Sequence, residues 1–146
     1  MTAHILIVEA RYYGDVSDEL AAGAIAELDA HDASYERVEV PGALELPQAM
    51  AYGLASGSFD GAVALGCVIR GETSHYDIVA TESARMIMEL AIGYGIPVGN
   101  GILTVDTFEQ ALVRAKKNGR NKGGVAAAAC LATISVKSAF AAPGDD

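Results

Sequence analysis

The feature that most limits the possible folds is a strand, loop and helix pattern in residues 61–77. Residues 62–69 form a near-continuous apolar run, which is typical of a buried strand. The chain then turns polar through residues 70–74, and a long helical pattern follows from His75 onward. Ligands of open parallel sheets bind beyond the carboxyl ends of the strands. The pattern therefore predicts a candidate site where this strand ends.

Three more apolar runs alternate with helical patterns along the chain. Strands are predicted at residues 5–8, 35–40, 62–69 and 96–104. Helices are predicted at 15–30, 43–56, 74–93, from 107 to a break at 119–124, and at 126–140, with 141–146 as a frayed tail. This order predicts an α/β three-layer sandwich of the flavodoxin-like type, with helices on both faces of a four-stranded parallel sheet in the order 2-1-3-4. We expect one domain over residues 1–146.

Helix caps and glycines refine this prediction. Asp15 or Ser17 is expected to cap the first helix, Thr73 or Ser74 the third, and Thr107 the fourth. Gly99 and Gly101 lie inside the fourth strand, which indicates either a bulge or a closely packed neighbour.

Composition excludes several classes of protein. The chain is 51% hydrophobic and 20% charged, which indicates a globular protein, and its net charge of −9 disfavours nucleic acid as a partner. No apolar stretch is long enough for a membrane span and the N-terminus lacks a signal-peptide pattern, so we expect a cytoplasmic protein. Cys67 and Cys130 are expected to be free buried thiols, and no Cys or His pair has the spacing of metal ligands.

Four loops are expected to converge at the carboxyl edge of the sheet, near residues 11–15, 41–45, 70–75 and 104–106. Tyr12 and Tyr13 offer either stacking surfaces for a planar ring or an aromatic plug for the sheet edge. Residues 71–74 form either an anion site at a helix N-terminus or an ordinary capped turn. His75 is either a proton shuttle or a structural residue. No Walker or dinucleotide-binding glycine motif is present.

A basic cluster stands out in this acidic chain. Five of the ten Lys and Arg residues fall between Arg114 and Lys122. The cluster fits an anionic ligand, and it equally fits a solvated helix end, where cations are favoured by the helix dipole.

Taken together, several segments resemble the lumazine synthase family of riboflavin biosynthesis. The resemblance extends from about residue 5 to residue 140, and the run 66–77 is highly specific. The matching segments are Val40–Pro47, Ala64–Asp77, Gly101–Thr104, Glu109–Ala111, Arg114 with Ala115, and Asn121–Gly123.

The resemblance implies an activity, its partners and its site residues. The family condenses 5-amino-6-(D-ribitylamino)uracil with 3,4-dihydroxy-2-butanone 4-phosphate and uses no cofactor or metal. It implies a homo-oligomer, either a pentamer or a capsid built from pentamers. His75 matches the general acid/base, and Arg114 matches the phosphate-binding arginine that an adjacent subunit supplies. The other substrate-binding positions implied are Tyr12, Ala43, Leu44, Glu45, Cys67, Val68, Ile69, Glu72, Thr73 and Asn100.

Some positions depart from the common family pattern. Asn100 stands where many members have a phenylalanine that lines a neighbour's pyrimidine site, which removes one wall of an aromatic sandwich. Tyr13 replaces a frequent asparagine, and Val113 a frequent glutamate. The N-terminal strand of many members is expected to be absent or truncated. Asn100 is the sequence support for an alternative, a paralogue with weak or no catalysis that binds flavin or lumazine or acts as a scaffold. A generic flavodoxin-like flavin carrier is disfavoured, because no phosphate loop follows the first strand.

Overall fold

Four strands and five helices alternate along the computed structural model, which describes residues 2–141. The strands are β1 (His4–Ala10), β2 (Ser34–Val40), β3 (Gly61–Ile69) and β4 (Val98–Val105). The helices are α1 (Gly14–Ala30), α2 (Leu46–Ala55), α3 (His75–Tyr94), α4 (Phe108–Ala115) and α5 (Lys122–Ala139), and a 3-10 turn at Ala43–Glu45 precedes α2.

All neighbouring strands are parallel, and the sheet order is β2-β1-β3-β4. Val8 of β1 lies beside Val38 of β2 on one side and Ala64 of β3 on the other. Because consecutive parallel strands need crossover helices, the helices cover both faces of the sheet. The predicted three-layer α/β fold with the strand order 2-1-3-4 is confirmed.

The sheet separates two hydrophobic cores. One core lies under α1, α4 and α5 and includes Ile5, Ile7, Leu20, Leu28 and Cys130. The other lies under α2 and α3 and includes Leu6, Val8, Leu46, Met50 and Ile87. Alternation along β1 thus sends successive side chains to opposite cores, as a strand buried on both faces requires.

The glycines of β4 allow a neighbouring helix to pack closely and do not form a β-bulge. Residues 98–105 pair with residues 62–69 in unbroken register. A Cβ atom on Gly99 would lie 1.9 Å from the carbonyl oxygen of Ala126, so only glycine lets α5 pack this closely on the strand. The close-neighbour alternative is therefore correct.

Helix starts differ from several predictions. Thr107 caps α4 as predicted, in a reciprocal pair with Gln110. The predicted cap of α1 is wrong. The N-cap is Tyr13, which makes no side-chain capping bond, and the Ser17 hydroxyl instead donates to the Ala10 carbonyl at 3.2 Å. Ser74 is the N-cap of α3 but makes no side-chain capping bond.

The last helix begins earlier than predicted. Asn121 adopts a left-handed conformation and its Oδ1 accepts the Gly124 N–H at 3.3 Å, so α5 starts at Lys122. Residues 142–146 of the predicted tail lie outside the described part of the chain. Across residues 2–141, none of the helices combines the length and apolar character that crossing a membrane would take.

Candidate active site

A cleft of about 470 Å³ opens at the carboxyl edge of the sheet. Its walls come from the loops that follow β1, β2 and β3 and from the first turns of α3. The lining residues are Tyr12, Tyr13, Pro41, Gly42, Ala43, Leu44, Glu45, Cys67, Val68, Ile69, Gly71, Thr73, His75, Tyr76 and Val79. This volume suits a small organic molecule, since ligand pockets commonly measure roughly 300–1,000 Å³.

The first wall of the cleft is aromatic, and we call Tyr12 and Tyr13 the aromatic wall. Their rings meet edge to face with centroids 4.9 Å apart. Tyr13 is partly buried against the core, and burial raises the pKa of its hydroxyl. Tyr12 is 75% exposed, so its ring face is available to a ligand.

The floor of the cleft is the end of β3. Cys67 and Val68 are buried there, and Ile69 is partly buried. Burial raises the pKa of the Cys67 thiol to about 11, so the group is a neutral thiol near pH 7. The floor therefore offers an apolar surface and no nucleophile at neutral pH.

A second wall, which we call the histidine wall, consists of Gly71, Thr73 and His75. All three are exposed, and His75 is the first residue of α3. The Thr73 Oγ1 accepts the backbone N–H of His75 at 3.3 Å. An imidazole in this position can exchange protons both with a ligand in the cleft and with solvent.

Arg70, which directly precedes the histidine wall in the chain, contacts the first turn of α3 and the loop after β4. Its guanidinium lies 4.2 Å above the centre of the Tyr76 ring, and its Nε donates to Asp106 at 3.2 Å. Asp77 lies 3.6 Å from the same guanidinium. The side chain of Arg70 is 48% exposed, so water weakens each of these contacts.

The structure brings most of the predicted site residues together. Nine of the twelve line the cleft, namely Tyr12, Ala43, Leu44, Glu45, Cys67, Val68, Ile69, Thr73 and His75. Glu72 is exposed next to the lining residues but is not one of them. Asn100 and Arg114 also lie outside the lining of this cleft.

Within residues 2–141, the side chains of Asn100 and Arg114 make hydrogen bonds only within their own strand and helix. Asn100 is exposed on β4, and its Oδ1 accepts the Ile102 N–H of the same strand at 2.9 Å. Arg114 lies on α4 with its Nη1 donating to the Gln110 carbonyl at 3.1 Å. Neither it nor any other cation of the basic cluster forms a salt bridge with a carboxylate of residues 2–141.

One expectation about the loops needs correction. Residues 104–106, all of which the structure describes, do not line the cleft, and the fourth loop instead meets the third through Arg70 and Asp106. Sequence reasoning also missed Tyr76 and Val79. The signal for Val79 was available, because it lies one helical turn after His75 and so on the same side of α3.

No metal-binding arrangement is evident in residues 2–141, where no group of three or more His, Cys, Asp or Glu side chains could hold an ion. Cys67 and Cys130 are both free and buried, as expected. Among the lining residues, the imidazole of His75 can transfer protons beside an aromatic and apolar binding surface.

Comparison with known proteins points to one family. The family model described as 6,7-dimethyl-8-ribityllumazine synthase matches residues 2–138. A protein of that name from Methylobacterium radiotolerans is 58% identical over 92% of this chain and 82% of its own length. Those from Sphingopyxis alaskensis and Bartonella tribocorum are 54% and 52% identical, each over 94% of this chain and over 97% and 91% of their own lengths.

Proposed function

Because this chain belongs to the 6,7-dimethyl-8-ribityllumazine synthase family, we propose that it condenses 5-amino-6-(D-ribitylamino)uracil with 3,4-dihydroxy-2-butanone 4-phosphate. The chain is an enzyme, a transferase of riboflavin biosynthesis. The proposed products are 6,7-dimethyl-8-ribityllumazine, phosphate and water, and the proposed reaction uses no cofactor. A cytoplasmic location is part of the proposal, since free thiols such as Cys67 and Cys130 persist in a reducing compartment.

One observation carries this proposal: a single cleft holds an aromatic wall, an apolar floor and an imidazole. The pyrimidine ring would stack on the exposed Tyr12, with its ribityl chain along residues 43–45 and 67–69. His75 would move protons during imine formation and the elimination of phosphate. Much of the remaining acceleration would come from holding the two substrates in reacting geometry.

The phosphate is proposed to bind between subunits. Thr73 lines the cleft and Glu72 lies beside it, but no lining residue is a lysine or an arginine. Arg114 is unpaired with carboxylates among residues 2–141 and lies on the α4 side of the sheet. A guanidinium suits a phosphate dianion, so an Arg114 from an adjacent subunit would complete the site.

Exposed apolar side chains support assembly into a ring. On α3 they include Ile78, Met88 and Ile92, and on the opposite side of the sheet they include Val113, Val125 and Val136. Two different apolar surfaces allow head-to-tail contacts, which close into a ring at a suitable rotation. We propose a homopentamer with its active sites at the subunit interfaces. Sedimentation or light scattering would distinguish five subunits from a capsid built of pentamers.

The first test is turnover. Purified protein with both substrates is expected to develop lumazine absorbance and to release phosphate. An absence of turnover combined with tight flavin binding would favour the paralogue that binds flavin or lumazine. The observation that favours this second candidate is Asn100, whose amide turns back to its own strand and supplies no aromatic surface.

The second test is subunit complementation. His75→Ala and Arg114→Ala variants are each expected to lose most activity, the second mainly through a higher KM for the butanone phosphate. Randomly mixed oligomers of the two should regain about a quarter of the parental activity, because some interfaces then combine an intact His75 with an intact Arg114. No recovery in verified mixed oligomers would contradict a site shared between subunits.

A further inference from the structure

Glu9 is a buried carboxylate that the proposed chemistry does not use. It lies on β1 with its side chain 1% exposed, and it is the only buried charged residue among residues 2–141. Arg37 of β2 donates to it twice, from Nε at 2.6 Å and from Nη2 at 2.9 Å. Arg11 donates from Nη1 at 2.8 Å. The carboxylate thus accepts three charge-assisted hydrogen bonds from two arginines.

Stability alone does not account for a carboxylate at this position. Transferring a charge out of water costs free energy that paired arginines only offset, and an apolar side chain of similar volume often serves a core equally well. Ile5 and Ile7, which precede Glu9 on the same face of β1, are apolar and fully buried. The charge at position 9 therefore points to a requirement for placing its partners.

Arg11 connects this buried charge to the cleft. Its Nη2 also donates to Asp18 of α1, and its backbone N–H donates to the Val40 carbonyl at 3.3 Å. Tyr12 and Tyr13 follow directly in the chain. Their loop is closed at its other end by Ser17, whose backbone N–H donates to the Tyr13 carbonyl at 2.9 Å. The backbone that carries the aromatic wall is thus fixed at both ends.

We propose that Glu9 is a positioning residue that acts through Arg11 to hold Tyr12 where the pyrimidine ring stacks. This inference rests on the proposed function, because it assigns Tyr12 to the uracil substrate. Arg37 binds the same carboxylate but has a different role. It links β1 to the edge strand β2, and its side-chain hydrogen bonds within residues 2–141 go only to Glu9. The two arginines of one carboxylate therefore have separable roles.

Steady-state kinetics of Arg11→Met and Arg37→Met test this separation. Each variant removes one arginine and leaves Glu9 paired with the other. Arg11→Met is expected to raise the KM for the ribitylaminouracil about tenfold, because displaced binding groups cost affinity and orientation. Its KM for the butanone phosphate should stay within about twofold of the parent. Arg37→Met is expected to lower the Tm and to leave both KM values near those of the parent.

Glu9→Gln and Arg11→Lys extend the test. Glu9→Gln should raise the same KM by less than Arg11→Met, because Arg11 keeps its bond to Asp18. Arg11→Lys should restore part of the affinity lost in Arg11→Met, because a lysine still reaches one carboxylate oxygen. Should Glu9→Gln fail to fold, the comparison of the two arginine variants decides the matter by itself. Glu82→Gln, which breaks an exposed pair with Arg85, controls for loss of an ion pair elsewhere.

The outcomes separate this inference from the proposed function. A parent protein without turnover overturns the proposed function. A parent with turnover, combined with an unchanged pyrimidine KM in Arg11→Met, overturns the positioning role of Glu9. An equal rise of the pyrimidine KM in Arg11→Met and Arg37→Met overturns it too, because the cluster would then be a general structural support.

Discussion

The two walls of the cleft are held in contrasting ways. The aromatic wall follows a buried carboxylate with two arginines, and its loop is closed by the buried Ser17. The histidine wall is exposed and is held by surface contacts of Arg70 and by the Thr73 hydroxyl. Buried charge pairs resist disruption strongly, because breaking one leaves an unpaired charge, whereas exposed pairs contribute little.

This difference suggests a division of work within the proposed site. Under this proposal, one subunit by itself supplies the surface on which the pyrimidine ring stacks. The histidine wall contains no lysine or arginine, and its exposed side would receive a neighbouring subunit that carries Arg114. Ring binding should therefore depend on contacts inside the subunit, and proton transfer and phosphate binding on the open side.

The largest expected effect comes from the histidine wall. His75→Ala should lower kcat roughly 100-fold by removing general acid–base catalysis, without abolishing turnover, since both substrates are still held together. Steady-state rates of lumazine formation measure this. His31→Ala, at an exposed position after α1, is the control and should match the parent. A parental rate in His75→Ala would remove the imidazole from the mechanism.

An intermediate effect is expected from the aromatic wall. Tyr12→Ala removes the stacking surface and should raise the KM for the pyrimidine about tenfold, because aromatic stacking contributes about 1 kcal/mol or slightly more. Tyr12→Phe keeps the ring and should stay near the parent. The exposed Tyr52 of α2 provides a control substitution to alanine. Equal loss in Tyr12→Phe and Tyr12→Ala would indicate that the hydroxyl, and not the ring face, binds the substrate.

A smaller effect is expected at Arg70. Arg70→Met removes exposed contacts with Asp77, Asp106 and the Tyr76 ring, so kcat should fall only about threefold, in line with about 0.5–1 kcal/mol for such contacts. The fall should shrink as ionic strength rises, because salt already screens these pairs in the parent. A loss as large as that of His75→Ala would mean that the two walls are held equally firmly.

Much of the fold could be predicted from the sequence because local patterns decided it. Four apolar runs separated by helical periodicity define the strands, and Thr107 with Gln110 defines a capped helix start. The start of α5, which Asn121 caps, was missed because the glycines of its first turn, Gly123 and Gly124, indicate a break in the sequence, whereas in the structure they allow close packing. A Cβ atom on Gly123 would lie 2.0 Å from the Leu20 carbonyl oxygen, a contact between residues far apart in sequence.

The support of the site was less predictable than its lining. The lining residues near the ends of β1, β2 and β3 follow from the parallel sheet, whose strand ends converge. The sequence predicts Glu9 as the start of a polar loop after a strand at residues 5–8, whereas β1 extends to Ala10. Nothing nearby in the sequence indicates that Arg37, 28 residues away, pairs with Glu9. Such partners are fixed by strand register, which a single sequence specifies only through the completed fold.

The smallest expected effect on the cleft is that of Cys130, which is buried on the core side of α5 and does not line the cleft. Cys130→Ala should leave kcat and both KM values unchanged at neutral pH. It should, however, change how stability depends on pH. Burial raises the pKa of this thiol from 9.0 to about 11 in the folded protein. The folded state therefore keeps a proton that the unfolded chain releases above pH 9.

The sign of the effect follows from this difference in pKa. The stabilisation from the neutral thiol is complete below pH 9 and is lost as the pH rises towards 11. The parent should consequently lose about 2 kcal/mol more stability than Cys130→Ala between pH 7 and pH 10.5. Urea unfolding of both proteins at the two pH values measures the difference. Parallel pH dependences would mean that the thiol titrates equally in the folded and unfolded states. The core under α5 would then admit water to Cys130.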